Sequence, residues 1–189
     1  MRRAFKEWAL VCWALATGRQ VLVLRKGGIR EEGGAFEPGP SPFLLFPTYF
    51  HQRPESVVPE ARGTLERLRA QAPDPGDLII THWAELAGAF RVESLEALSA
   101  LRGQHIWSEE AAGERFRRWG ESGVHALVLR VQALPRPARL PGREAYGGCK
   151  SWVELEEEVP VGGSAPVLDD RAFAARIEAI GAALVNGGQ

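Results

Sequence analysis

The chain has 189 residues, 45% of them hydrophobic and 25% charged, and a formal net charge of −1. These values fit an ordinary globular protein, and folding at this length buries roughly 70% of the extended chain's surface, so no staple is required. The two cysteines, Cys12 and Cys149, lie far apart in no metal-ligand spacing, which excludes a disulfide framework and points to a reducing, cytoplasmic location.

Met1-Arg2-Arg3 superficially suggests a targeting segment, but Lys6 and Glu7 interrupt the apolar run behind it. No stretch approaches the ~20 apolar residues of a membrane span. Phe5, Trp8, Cys12 and Leu15 recur at steps of three and four, predicting an N-terminal helix over 4–17 that stops at Gly18. Val21 to Leu24 is apolar on both faces and reads as a central strand, followed by a loop over 30–42 rich in glycine and proline. Phe43 to Phe46 is a second buried strand, stopped by Pro47. A helix starts near Pro59, with Val58, Ala61, Leu65, Leu68 and Ala72 along one stripe. Pro73-Asp74-Pro75-Gly76-Asp77 is the clearest breaker, and the one place where a subdomain break could fall.

Leu78 to Leu86 reads as a strand, with Leu78, Ile80, His82 and Ala84 on one face and Ile79, Thr81, Trp83 and Glu85 on the other. Helices follow around 93–102 and 109–119, the second capped by Ser108 with Glu109 and Glu110 in its first turn. A strand runs from His125 to Ala133, a turn-rich stretch from Pro135 to Gly148, and an exposed or edge strand from about 150. In that last strand Ser151, Val153 and Leu155 face in, while Lys150, Trp152, Glu154 and Glu156 face out. A final helix begins near Asp169 with Phe173, Ile177, Ile180 and Leu184 as its stripe. The order is irregular, so the expectation is a single α+β domain over 1–189: a mixed or barrel-like sheet of about five strands, flanking helices, and a helix near each end.

The near-zero total conceals a segregation of charge. Residues 1–30 carry a net +6, residues 115–143 another +6, and the tail from 151 onward −5. If the two basic segments share a face, that face attracts phosphate; the alternative is that basic and acidic segments pair with each other. Arg117 and Arg118 beside Trp119, with Arg136 and Arg139, are the candidate nucleic-acid contacts.

Candidate ligand residues fall in three places. Arg25-Lys26-Gly27-Gly28 follows a buried strand, where backbone N–H groups can converge on an anion, although a double glycine there is also an ordinary turn. Thr48, His51 and Gln52 interrupt an aromatic run and form either a structural network or a pocket wall. Thr81, His82 and Glu85 lie on one strand, where residues three apart face opposite ways, so His82 and Glu85 do not form an acid–base pair. Arg130 completes the set. The four histidines are scattered with no zinc spacing, and no nucleophile elbow or activated thiolate is evident. The sequence therefore assigns no catalytic residue, no metal and no cofactor.

Lys6-Glu7-Trp8-Ala9, Leu24-Arg25-Lys26-Gly27-Gly28-Ile29-Arg30-Glu31, Phe43-Leu44-Leu45-Phe46-Pro47-Thr48 with His51-Gln52, Thr81-His82-Trp83-Ala84-Glu85 and Tyr146-Gly147-Gly148-Cys149-Lys150-Ser151-Trp152 resemble the bacterial family called domain of unknown function 1802. The resemblance runs from about 5 to 156 and implies no activity. Residues 76–140 are also similar to the PUA-like barrels, with their ASCH and EVE branches, which implies engagement of nucleic acid or modified bases. The leading expectation is a nucleic-acid-associated binding module, for DNA or RNA, with a basic face and a polar, aromatic pocket. The rivals are a metal-dependent phosphodiesterase using Glu7, Glu31, Glu85, Lys26 and the histidines, and a subunit whose edge near 150–156 pairs with a protein partner or a second copy.

Overall fold

The computed structural model describes residues 1–25, 41–118, 123–148 and 150–187. The elements run β1 (Arg3–Trp8), α1 (Ala9–Ala16), β2 (Leu22–Arg25), β3 (Phe43–Thr48), α2 (Pro59–Ala70), β4 (Asp77–Val92), α3 (Leu95–Ala100), α4 (Glu109–Arg117), β5 (Val124–Pro141), β6 (Trp152–Glu154), β7 (Ala165–Pro166) and α5 (Asp170–Asn186). The fold is α+β: helices flank a seven-stranded sheet of order β2-β5-β4-β3-β1-β6, with β7 pairing β5. β1 and β3 are parallel and the other pairs antiparallel, so the sheet is mixed. The end strands β2 and β6 do not pair among the described residues, which leaves the sheet open rather than closed into a barrel.

Strand alternation sorts side chains into two cores. Ala4, Leu44, Leu78, Ile80, Val153 and Leu155 pack on one face. Phe5, Phe43 and Leu45 turn to the other, where α1 and α2 cover them with Leu10, Leu15, Ala61 and Leu65. Phe5, Phe43 and Trp152 meet there as an aromatic cluster with ring centroids 4.9–5.5 Å apart. The helix starts follow the local chemistry: Ser94, Ser108 and Asp169 accept from the backbone N–H groups of Ala97, Ala111 and Ala172, and Pro59 occupies the first turn of α2.

Several expectations need correction. Residues 3–8 form β1, not the start of a helix, because Arg3 to Phe5 pair with β6 and Ala4 to Trp8 with β3. α1 begins only at Ala9 and is buried almost all round, so it has no amphipathic stripe to reveal its start. β2 is wholly apolar at Leu22 to Leu24 yet pairs only with β5 and ends the sheet. Pro47 does not stop β3; its missing N–H is tolerated because β4 pairs only as far as Phe43 and Leu44. Pro135 does not end β5, which runs on to Pro141. Residues 134–137, holding both Pro135 and Pro137, fall in a register gap where β4 supplies no partner. Trp152 packs on the core instead of facing out, and Ile177 is 37% exposed although it belongs to the predicted stripe of α5. The expected loop over 30–42 lies, except for residues 41 and 42, outside the described residues.

No helix among the described residues is long and apolar enough to cross a membrane.

Candidate ligand cleft

The chain ends of β1, β2 and β3, the turn after β3, the start of β4, one face of α4 and the segment 142–151 surround a cleft of about 1050 Å³. That volume is at the top of the ~300–1,000 Å³ range of small-ligand pockets. Seven basic side chains line it: Lys6, Arg25, Arg53, Arg115, Arg118, Arg143 and Lys150; Glu7, Asp74, Asp77 and Glu114 are its acids. The two basic segments therefore converge, with Lys6 and Arg25 from the first meeting Arg115, Arg118 and Arg143 from the second. Charge pairing also occurs. The tail takes up Arg3 through Glu154 at 3.4 Å, Arg130 through Asp170 at 2.6 Å and Arg143 through Glu156 and Glu157.

Glu7 forms the floor. Its side chain is 6% exposed; Oε2 accepts from Arg25 Nη1 at 3.2 Å and Oε1 from the backbone N–H of Trp8 at 2.8 Å. Trp8 is the N-cap of α1, so the carboxylate also sits where the helix dipole favours negative charge. Arg25 donates to Ser151 Oγ and lies over the Phe5 ring, 4.8 Å from its centroid. Those contacts fix a guanidinium that would otherwise sample many rotamers.

The α4 wall is built by helical spacing, since Ala111, Glu114, Arg115 and Arg118 recur at steps of three, one and three and share a face. The Arg115 guanidinium stacks 3.7 Å from the centroid of Trp107, whose ring meets Trp8 edge-on at 4.8 Å. Burial pulls the Arg115 pKa below its ordinary value, partly offset by Glu7. On the opposite wall Lys6 Nζ donates to the carbonyls of Tyr146 and Gly148 at 2.6 and 2.8 Å, tying β1 to the segment after β5. That segment is closed at its start by Gly142, whose N–H donates to Gly76 O at 2.6 Å. A Cβ at Gly142 would lie 2.7 Å from Pro75 O, so only glycine permits the approach.

The turn after β3 brings aromatic surface to the rim. Phe50 is 75% exposed, Tyr49 is half-buried with its pKa raised first by burial and then by Cys12, and His51 takes a left-handed φ of 57°. Gln52 holds this turn from behind. It is fully buried, Nε2 donates to Thr48 O at 3.1 Å, Oε1 accepts from Leu10 N at 3.3 Å, and its carbonyl accepts from Arg69. The Leu10 N–H belongs to the first turn of α1, so a residue 42 positions away caps that helix.

Of the sequence candidates, Arg25, Thr48, His51 and Arg118 line the cleft. Thr48 Oγ1 donates to Glu7 O at 3.0 Å. Gln52 lies behind the wall, and Thr81, His82, Glu85, Arg130, Arg117, Arg136 and Arg139 are not lining residues. His82 Nδ1 lies 2.8 Å from Thr81 Oγ1, and burial lowers its pKa. Glu85 pairs across the ladder with Arg130, which stacks on Phe173 and bonds Asp170. Lys26, Gly27, Gly28, Glu31, Trp119 and Cys149 lie outside the described residues. No group of three or more His, Cys, Asp or Glu among the described residues is placed to hold a metal ion. Arg53, Arg115, Arg143 and Lys150 are lining residues that motif reading missed. The spacing of 111, 114, 115 and 118 is the available signal for Arg115; Arg143 falls in the basic stretch 115–143 and Lys150 in the family segment 146–152, while nothing local marks Arg53.

The chain matches, over residues 4–179, the family described as "Domain of unknown function (DUF1802)". No curated protein matches it. Among solved structures, the ASCH protein from Zymomonas mobilis is 14% identical, with a TM-score of 0.48 over 82% of this chain and 87% of that one. Two single-substitution mutants of the same Zymomonas mobilis protein align similarly. One is 16% identical with a TM-score of 0.46, covering 82% and 90% of the two chains; the other is 14% identical with a TM-score of 0.46, covering 82% and 88%. A likeness of that size identifies neither a ligand nor a mode of binding.

Proposed function

We propose, for a chain that belongs to the DUF1802 family and so inherits no assigned activity, that the cleft binds nucleic acid through an unpaired stretch of DNA or RNA. The observation that carries this reading is the convergence of cationic side chains from five remote segments on one concavity with an exposed phenyl at its rim. Drawing like charges together opposes folding, and a concave low-dielectric wall focuses their field on an anionic ligand. Arg115 is held in place by Trp107, which lowers the entropy lost when it meets a phosphate. Phe50 offers a stacking face that a base inside a duplex cannot use but an unpaired one can.

The test is fluorescence anisotropy with labelled single-stranded RNA and DNA, and duplexes of the same sequences, at low salt. Single strands bind more tightly than duplexes, and Arg115→Ala weakens binding by about tenfold, ~1.4 kcal/mol. Absence of binding to every oligonucleotide refutes the reading.

A further inference from the structure

The buried carboxylate of Glu7 is out of place in a cleft that serves phosphate alone. It stands on the floor among cations, where it repels any phosphate that approaches, and its own burial is unfavourable unless paired. Its pairing is incomplete in a specific sense. A carboxylate offers about four lone-pair directions, and among the described residues Glu7 uses one on Trp8 N–H and one on Arg25. A guanidinium offers five N–H donors, of which Arg25 commits, among the described residues, one to Glu7 and one to Ser151. Both groups line the cleft, and both are fixed, Arg25 by the Phe5 ring beneath it. The floor thus presents a rigid acceptor beside a rigid donor, which is the complement of a nucleobase edge.

We infer that the Glu7–Arg25 pair reads the edge of an unpaired base and selects cytosine and adenine over uracil and thymine. This rests on the nucleic-acid reading of the same cleft. In cytosine and adenine the amine N–H groups meet the carboxylate while the adjacent ring nitrogen accepts from the guanidinium. In uracil and thymine the edge N–H lies between two carbonyl oxygens: with the guanidinium on one of them the carboxylate still stands against the other, a repulsion that the amine-bearing edges of cytosine and adenine do not impose. Phosphates engage the cations of the walls, and Phe50 supplies stacking that is indifferent to base identity.

The experiment measures Kd of the full chain for single-stranded homopolymers of cytidine, adenosine and uridine, about ten nucleotides long. A fourth oligonucleotide carries cytidine dimethylated on its amine, which removes the donor hydrogens without touching the protein. The expected result is cytidine and adenosine binding at least about tenfold more tightly than uridine, with dimethylated cytidine falling to the uridine level. Glu7→Gln, whose amide can donate to a carbonyl, narrows the cytidine-to-uridine ratio at least about threefold. A Glu7 that merely neutralised Arg25 would leave that ratio unchanged. Equal binding of cytidine, uridine and dimethylated cytidine overturns the inference while the nucleic-acid reading stands; no binding at all overturns both. The comparison of oligonucleotides on the unaltered chain decides the matter even if Glu7→Gln fails to fold.

Discussion

Removing Arg53 and Lys150 together changes how salt weakens binding, by an amount the cleft itself fixes. Of the seven cations on its walls, Lys6 is committed to two carbonyls, Arg25 to Glu7 and Ser151, and Arg143 to Glu156 and Glu157, and Arg118 too has a partner. Arg53, Arg115 and Lys150 have no ion pair among the described residues, so each is available to a phosphate. Single strands release about 0.7 counterions per neutralised phosphate, so three contacts give a log–log slope of about −2. Raising salt from about 50 to about 200 mM then costs about 20-fold in affinity. Arg53→Ala with Lys150→Ala leaves one such contact and a slope of about −0.7. Anisotropy titrations at four or more salt concentrations measure both slopes. A double variant with the parent's slope would show that the phosphates lie elsewhere, and a parent slope near zero would remove the electrostatic argument altogether.

Two further predictions concern the framework. Gln52→Ala strips the acceptor from the buried Leu10 N–H and the donor from Thr48 O, costing about 1–3 kcal/mol; an unchanged urea midpoint would show that neither contact matters. Burial first, and then Arg115, depress the His105 pKa to about 4, against about 6.5 when unfolded. The unfolded state therefore takes up a proton that the folded state refuses, and stability falls as pH drops from about 6.5 toward 4, by up to about 3 kcal/mol. The pH slope across that range should become shallower but not vanish in His105→Gln, because burial and then Arg91 also lower the His125 pKa to about 4; an identical slope in the variant would assign the acid sensitivity to other groups.

The cleft explains why its parts were read so unevenly. Thr48 and His51 were legible because polar groups inside an aromatic run need partners or a cavity, and they border one. Arg117 stands next to Arg118 and Trp119 in the sequence, but a helix sorts by face, and the lining face carries Arg115 and Arg118. Thr81, His82 and Glu85 stood out as polar residues in a strand; the part of β4 that reaches the cleft is its start, at Asp77 to Ile79. Arg53 carries no local signature, and Lys150 stands out only as part of the family segment 146–152.

Local chemistry alone determined α2, α4 and α5, because caps, first-turn proline and apolar periodicity act within a few residues. It also determined the buried strands, the α+β class and the segregation of charge along the chain. Tertiary structure decided what depends on partners remote in sequence. Arg3 to Trp8 become a strand because β3 and β6 offer their edges, and the prolines of β5 survive because β4 leaves a gap opposite them. The same holds for the cleft: β2 and β1 stand four places apart in the sheet, and Glu7, Arg25, Arg115 and Ser151 meet only because the end of β2 approaches β1 and the segment before β6, beside α4. Hydrogen bonds within a helix are local, but the pairing of β1 with β3 and β6 and the meeting of Arg25 with Glu7, 18 residues away, are not, and no short sequence window reveals them.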